Sequence, residues 1–328
     1  ALLGQSVSDG VSAGLLGPSP IPISPILVAI VGGLVVRNTL GLPAVFERGL
    51  QLCVTRVLRI GVALLGIQLS LVSVGEIGLV ALPVVVVCIA SALWVVRGAS
   101  RVLSLPGRLG TLIAVGTAIC GNTAIVATAP AVGASEEETS YAVGTITVFG
   151  LLALLIYPFL SHFIFGGDGF QAGVFLGTAI HDTAQVAGAA LLYSQQYADP
   201  EALEAATVTK LLRNMFMVAV IPVVAWLHER PGVGSAQPER RLYKSIPFFV
   251  VGFLAVAGLR TVGDLGTDPF GGILTPDHWE NFILVTADIS MAFLAVAMAA
   301  VGLGTQLSRL VVLGFRPLVA GFAAALTV

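Results

Sequence analysis

Charge is what this sequence has least of. Of its 328 residues only 10% are Asp, Glu, Lys or Arg, while 56% are hydrophobic. Soluble domains run near 25% charged, and 16 basic plus 18 acidic side chains cannot clothe a folded chain of this length. A soluble enzyme, a nucleic-acid binder and a disordered chain are excluded. The net charge of −2 and a pI near 6.1 argue against a polyanionic partner. Cysteine is scarce as well. Cys53, Cys88 and Cys120 stand in apolar surroundings without metal or disulfide spacing, and read as small core residues. Catalytic signatures are missing too: no nucleophile elbow, HExxH, Walker loop or CxxC occurs. No enzyme activity and no cofactor are expected, and a protease built on His181-Asp182 lacks any nucleophile context.

What the chain has instead is long uncharged runs. Residues 77–96, 109–135, 139–167 and 289–308 contain no Asp, Glu, Lys or Arg. Each reaches the roughly 20 residues that cross ~30 Å of hydrocarbon at ~1.5 Å per residue. The alternation of a β-barrel strand is absent, and a mean hydropathy of +0.97 agrees. The fold class is therefore an all-α, polytopic protein of the lipid bilayer, read as a single transmembrane domain over 1–328 with about ten or eleven membrane segments.

Helices are predicted at 23–36, 50–71, 76–96, 138–164, 207–227, 245–262 and 281–303, with another starting near Pro317. The polar stretch 229–244 is the one clear linker. The chain opens on Ala1 and stops inside the apolar run 317–328, so incomplete first and last spans are expected and no targeting peptide is legible. Arg37 with Arg48, then Arg97, Arg101 and Arg108, then Arg230, Arg240, Arg241 and Lys244, and finally Arg309 with Arg316 fall on one face of a back-and-forth threading. By the positive-inside tendency that face is cytoplasmic. The segments 8–20, 195–206 and 263–280 fall opposite, carrying acids such as Asp199, Glu201, Glu204 and Asp264.

Two further stretches, 107–133 and 169–194, are apolar but interrupted, and each is either a full crossing or a re-entrant hairpin. They share a repeat: GTAICGNTAIVATA at 116–129 is echoed by GTAIHDTAQVAGAA at 177–190. A second pair, GIQLS at 66–70 and GTQLS at 304–308, ends helices of opposite direction, the inverted relation of secondary transporters. The GTAI pair is inverted only if both stretches are hairpins entering from opposite faces.

Irregular backbone survives at membrane depth only where it is buried in protein or lines a cavity. At the first break Gly121 loosens the helix, Asn122 and Thr123 offer hydrogen bonds, and a half-helix starting near Asn122 aims free N–H groups inward. That arrangement attracts anions; the plainer alternative is a Gly-mediated helix contact. At the second break, His181 and Asp182 are ionisable groups in an apolar stretch, functional by default. They are candidates for a coupling proton or sodium ion, although Asp182 equally suits an N-cap. Thr183 and Gln185 are candidate ligand contacts. Lys210 and Arg213 share a helix face toward the outer leaflet, where they either attract the anion or pair with Asp182 or Asp288. Asp288, two turns into a span, is a buried ion-pair partner or a coupling site. Arg56 and Arg59 read as flanks, and Glu136, Glu137 and Glu138 after Ser135 as a capped, solvated helix start.

These residues together resemble a family. GTAICGNTAIVATAPAV, then YAVGTITVFGLLALLIYPFL and GTAIHDTAQVAGAA, are similar to the YeiH-type bacterial inner-membrane proteins regarded as sulfate exporters. LRIGVALLGIQLS, TKLLRNMF and MAAVGLGTQLSRL extend the resemblance over about 26–320. Asn122 departs from the small residue of that pattern. The resemblance implies a ten- or eleven-helix carrier, related to the bile-acid and cation/proton antiporter superfamily, in the bacterial inner membrane. The expected function is coupled secondary transport, of the elevator type, of a small anion such as sulfate, sulfite or a sulfonate, by a homodimer. The alternatives are a cation/proton exchanger using Asp182 and Asp288, and an anion channel or membrane sensor.

Overall fold

A computed structural model describes residues 24–228, 248–265, 268–306 and 315–325. The predicted linker 229–244, the loop 8–20 and the basic residues Arg230, Arg240, Arg241, Lys244 and Arg309 lie outside the described residues. The described residues are 86% helical, with no strand among them. In chain order the helices are α1 (Pro25–Thr39), α2 (Ala44–Gln68, with one π turn over Cys53–Val57), α3 (Leu71–Val102), α4 (Gly107–Ala118), α5 (Asn122–Val132), α6 (Glu136–Ile164) and α7 (Gly169–Ala179). They continue with α8 (Thr183–Tyr197), α9 (Glu201–Met215), α10 (Met217–His228), α11 (Phe248–Gly263), α12 (Pro276–Gly304) and α13 (Phe315–Ala325). Among the described residues five stretches are long and apolar enough to cross a bilayer: α2, α3, α6, the α9–α10 stretch Glu201–Val224, and α12.

The breaks fall where Gly, Asn, His and Asp interrupt the apolar runs, at residues 119–121 and 180–182. Both interrupted stretches are hairpins. Arg108 at the start of α4 lies beside Gly133 just after α5, with the guanidinium carbon 4.0 Å from where a Cβ on Gly133 would sit. A straight helix would separate those residues by about 38 Å. In the second stretch Gly169, the first residue of α7, packs on the Asp199 carboxylate just beyond α8. The 29-residue α6, about 43 Å long at 1.5 Å per residue, joins the mouth of one hairpin to the mouth of the other. The hairpins therefore enter from opposite ends, which makes the GTAI repeat an inverted one. The start of α6 is capped as expected: Ser135 Oγ accepts from the Glu138 N–H at 3.1 Å, and the Glu138 carboxylate accepts from the Ser135 N–H at 2.8 Å.

Two bundles hold this arrangement. One packs α1, α2, α11 and α12 through small residues. A Cβ on Gly33 would lie 2.8 Å from the Leu303 nitrogen, Gly302 rests on the Ile30 carbonyl, and Ser290 Oγ donates to the Gly61 carbonyl at 2.8 Å. Gln68 ends α2 at one extremity, whereas Thr305, one residue past α12, accepts from Asn38 at the other, as the inverted GxQLS pair requires. The second bundle is α3 to α10 with α13, and it contains both hairpins. Threading the described helices leaves Arg37, Arg48, Arg97, Arg101 and Arg108 at one end, and Asp168, Asp199, Glu201 and Asp264 at the other.

Candidate functional site

The hairpin tips meet in the middle of the second bundle. Gly121 adopts φ +65° and ψ −124°, and a Cβ there would stand 3.2 Å from Asp182 Cα and 3.3 Å from its Cβ. The positive φ and the close approach both require glycine. Gly121→Ala is expected to cost about 1–3 kcal/mol in backbone strain alone and to push the tips apart. Thermal unfolding in detergent reads this out, and a wild-type midpoint would contradict the close approach.

The two hairpins present four helix ends to this crossing, two C-terminal and two N-terminal, with unpaired backbone groups at each. The C-terminal ends of α4 and α7 are bound by α9. Lys210 Nζ donates to the carbonyls of Ile119 at 3.0 Å, Ile180 at 2.9 Å and His181 at 2.5 Å. Arg213 Nε donates to the Ala118 carbonyl at 2.8 Å, Nη1 to Thr178 and, at 3.3 Å, to Ile180, and Nη2 to Thr117. Both side chains are buried, at 1% and 0% exposure. A cation at a helix C-terminus is favourable, and here each of two cations serves both such ends.

This placement corrects two expectations. Lys210 is nine residues into α9, about 14 Å from its start, and level with the hairpin tips. All three ammonium protons of Lys210 are spent on carbonyls, so its reach toward a ligand is electrostatic only. Asp288 is the other correction. It is exposed, on the far side of α12 from Ala297, which is buried and nine residues on, or about 180° around the helix. Among the described residues it makes no ion pair, and the structure does not bring it to the tips. Arg56 and Arg59 are likewise exposed on α2.

The N-terminal ends of α5 and α8 face Asp182. Its Oδ1 accepts from the Ala184 N–H at 2.9 Å, and the backbone N–H groups of Asn122 and Gln185 also act on the carboxylate. One internal anion thus occupies the positive ends of both half-helices. Around it stand polar atoms without partners among the described residues: Asn122 Oδ1, His181 Nδ1, Gln185 Oε1 and Asn214 Oδ1. Asn122, Asp182 and Thr183 are half-buried and Thr123 is exposed, so one side of the crossing is open. Gln185 fits into a hole that Gly150 leaves in α6, its Nε2 3.4 Å from the Thr147 carbonyl. The structure therefore gathers Gly121, Asn122, Thr123, His181, Asp182, Thr183, Gln185, Lys210 and Arg213 within one crossing.

Sequence reasoning missed Asn214, whose Nδ2 lies 3.4 Å from Thr183 Oγ1, and Gly150. An amide next to Arg213 in an apolar span is a usable signal for the first. Nothing in the sequence marks the second, because glycine is common throughout this chain. The charges do not balance: two buried cations face one carboxylate, with Cys120 the other titratable neighbour of Lys210 and Cys88 and Cys120 those of Arg213.

Comparison with known proteins agrees with the membrane reading. The family described as conserved hypothetical protein 698 matches residues 10–321. A UPF0324 membrane protein of Fusobacterium nucleatum is 30% identical over 307 residues, covering 92% of this chain and 86% of the relative. One from Pseudomonas putida is 33% identical over 91% and 80%, and one from Bordetella bronchiseptica 32% identical over 91% and 88%. No solved structure matches the chain. With almost the whole described fold inside the matched region, the chain belongs to the UPF0324 membrane-protein family, which is the YeiH-type family that its two hairpins resemble.

Proposed function

We propose that this protein is a secondary transporter of a small anion, proton-coupled, in the bacterial inner membrane. The observation that carries the reading is the charge imbalance at the hairpin tips. A buried cation without a counter-ion is costly, and Lys210 and Arg213 together exceed Asp182 by one charge. An anion entering from the open side lowers that cost. Asn122, Thr123, Thr183 and Gln185 supply hydrogen-bonding groups, and Lys210 and Arg213 act through their field. Sulfur oxyanions such as sulfate, sulfite or a sulfonate match a site of N–H and amide donors on two helix N-termini.

Coupling follows from competition. The Asp182 carboxylate holds the same N–H groups that an incoming anion needs, so a proton on Asp182 releases them, and anion and proton bind with positive linkage. The unpartnered His181 Nδ1 offers a place for the proton in transit. Hairpins from opposite ends supply two gates for one site, and the bundle of α1, α2, α11 and α12 supplies the support against which they move. A cation exchanger based on two carboxylates finds no second acid at the tips among the described residues, with Asp288 exposed on α12.

Proteoliposome uptake with a panel of sulfate, sulfite, sulfonates and carboxylates tests the reading. Saturable uptake of one anion class is expected, stimulated by a proton gradient and reduced at least tenfold in Asn122→Ala and His181→Ala. Flux that needs no anion, or that both variants leave unchanged, would sink it.

A further inference from the structure

A cavity of about 560 Å³ lies away from the tips, between α3, α4 and α10. Its volume falls within the ~300–1,000 Å³ range of small-molecule sites. Its lining is ordered along α3. Ala90, Leu93 and Trp94 occupy the deep part, and Arg97, Ser100 and Arg101 the shallow part, all on one stripe at helical spacing. The facing walls are apolar or small, including Gly110 and Ala114 of α4 and Val220 and Val224 of α10. No acidic residue lines it. Arg97 and Arg101 are exposed and enter no ion pair among the described residues. The buried Ser100 hydroxyl between them has no hydrogen-bond partner there either.

The position along the membrane matters as much as the composition. At 32 residues, α3 is about 48 Å long and outruns the ~30 Å hydrocarbon core. Its last turns, with Arg97 and Arg101, therefore reach the headgroup level, at the arginine-rich end that the positive-inside tendency assigns to the cytoplasm. A groove that is cationic at headgroup level and apolar below it has the polarity of a single lipid molecule. Basic pockets between membrane helices on the cytoplasmic side suit anionic headgroups.

We infer that this groove is a binding site for an anionic glycerophospholipid. Its phosphate rests between Arg97 and Arg101, Ser100 donates to a headgroup oxygen, and an acyl chain runs down past Leu93 toward Val220. The chain would lie against Gly110 and Ala114 of α4, the first arm of the first hairpin, so an occupied groove braces that arm. The groove shares no residue with the tips and is independent of the anion site.

The full chain in detergent, exchanged into mixed micelles of equal phosphatidylglycerol and phosphatidylcholine, tests it by native mass spectrometry. Adducts of phosphatidylglycerol are expected to exceed those of phosphatidylcholine at least fivefold. The preference should fall to parity in the Arg97→Gln/Arg101→Gln double variant and persist in Arg48→Gln, which removes an exposed arginine at the same end. Parity in the unmodified protein overturns the proposal, as does an unchanged preference in the double variant. Loss of the phosphatidylglycerol adduct to millimolar inorganic phosphate also overturns it, by marking a headgroup-only anion site. If the double variant does not fold, the comparison of the two lipids on the unmodified protein decides alone. Loss of anion transport with retained lipid preference would count against the transport reading and leave this one standing.

Discussion

Arg213→Met is expected to destabilise the folded protein severely. The substitution keeps an unbranched chain in a fully buried position but strands the carbonyls of Thr117, Ala118 and Thr178, which have Arg213 as donor. Each buried acceptor left without a partner costs ~1–3 kcal/mol, so three of them exceed about 3 kcal/mol. That is a large share of the ~5–15 kcal/mol that holds a typical domain together, and no water is available in the bilayer to take over. Arg213→Lys restores the charge but not the planar set of donors that reaches both hairpins, and should recover only part of the loss. Size-exclusion yield and the thermal midpoint in detergent measure both variants. A wild-type profile for Arg213→Met would mean that the C-terminal ends of α4 and α7 are not held by this side chain.

The second large effect is on pH dependence. If Asp182 competes with the transported anion for the N–H groups of Ala184 and Asn122, anion affinity rises as pH falls through the titration of that carboxyl. With one proton linked to one anion, the slope approaches about tenfold per pH unit. Asp182→Asn removes the competing charge; its amide oxygen still caps α8 but holds the N–H groups more weakly than a carboxylate, so an anion can displace it. The variant should therefore stay folded, bind the anion at least as tightly as the wild-type protein does at low pH, and show no slope. Calorimetric titration of the anion between pH 5 and 8 gives both numbers. A slope that survives in Asp182→Asn would move the coupling proton to another group, with His181 the first to test by substitution.

The two effects act on different helix ends at one crossing, the C-termini of α4 and α7 and the N-termini of α5 and α8. Arg213 and Lys210 satisfy the C-terminal ends, which need donors for the fold to exist at all. Asp182 satisfies the N-terminal ends, where an internal acceptor can be exchanged for an external one. Removing the first kind of group breaks the structure, and removing the second frees a site. This asymmetry separates the structural cations from the exchangeable anion more sharply than burial does, since His181 and Gln185 are as deeply enclosed as Lys210.

Much of the site is legible in the chain. Gly121, Asn122, His181 and Asp182 interrupt runs that are otherwise apolar, and lipid tolerates such groups only where they line a cavity or meet a partner inside the protein. The half-helix starts at Asn122 and Thr183 fall within a residue or two of the predicted breaks. The ends of ordinary spans are less legible: α3 runs from Leu71 to Val102 where the sequence predicts a helix over 76–96. Hydropathy marks the part of a helix that lipid touches, not where its hydrogen bonds stop.

Composition and order by themselves determined that this chain lives in a bilayer, where its spans lie, which end carries the arginines and where the two breaks fall. Each of these follows from local chemistry, because apolar length, charge and helix-breaking residues act over a few neighbours. Tertiary structure alone decided that the broken segments turn back as hairpins, that their tips touch at Gly121 and Asp182, that Lys210 and Arg213 bind backbone carbonyls, and that Asp288 faces away. A hairpin and a crossing have the same hydropathy, and a side chain's partners 29 to 96 residues away depend on how helices pack. The burial of two cations is settled by that packing, since only the meeting of α4, α7 and α9 supplies enough carbonyls to hold them away from water.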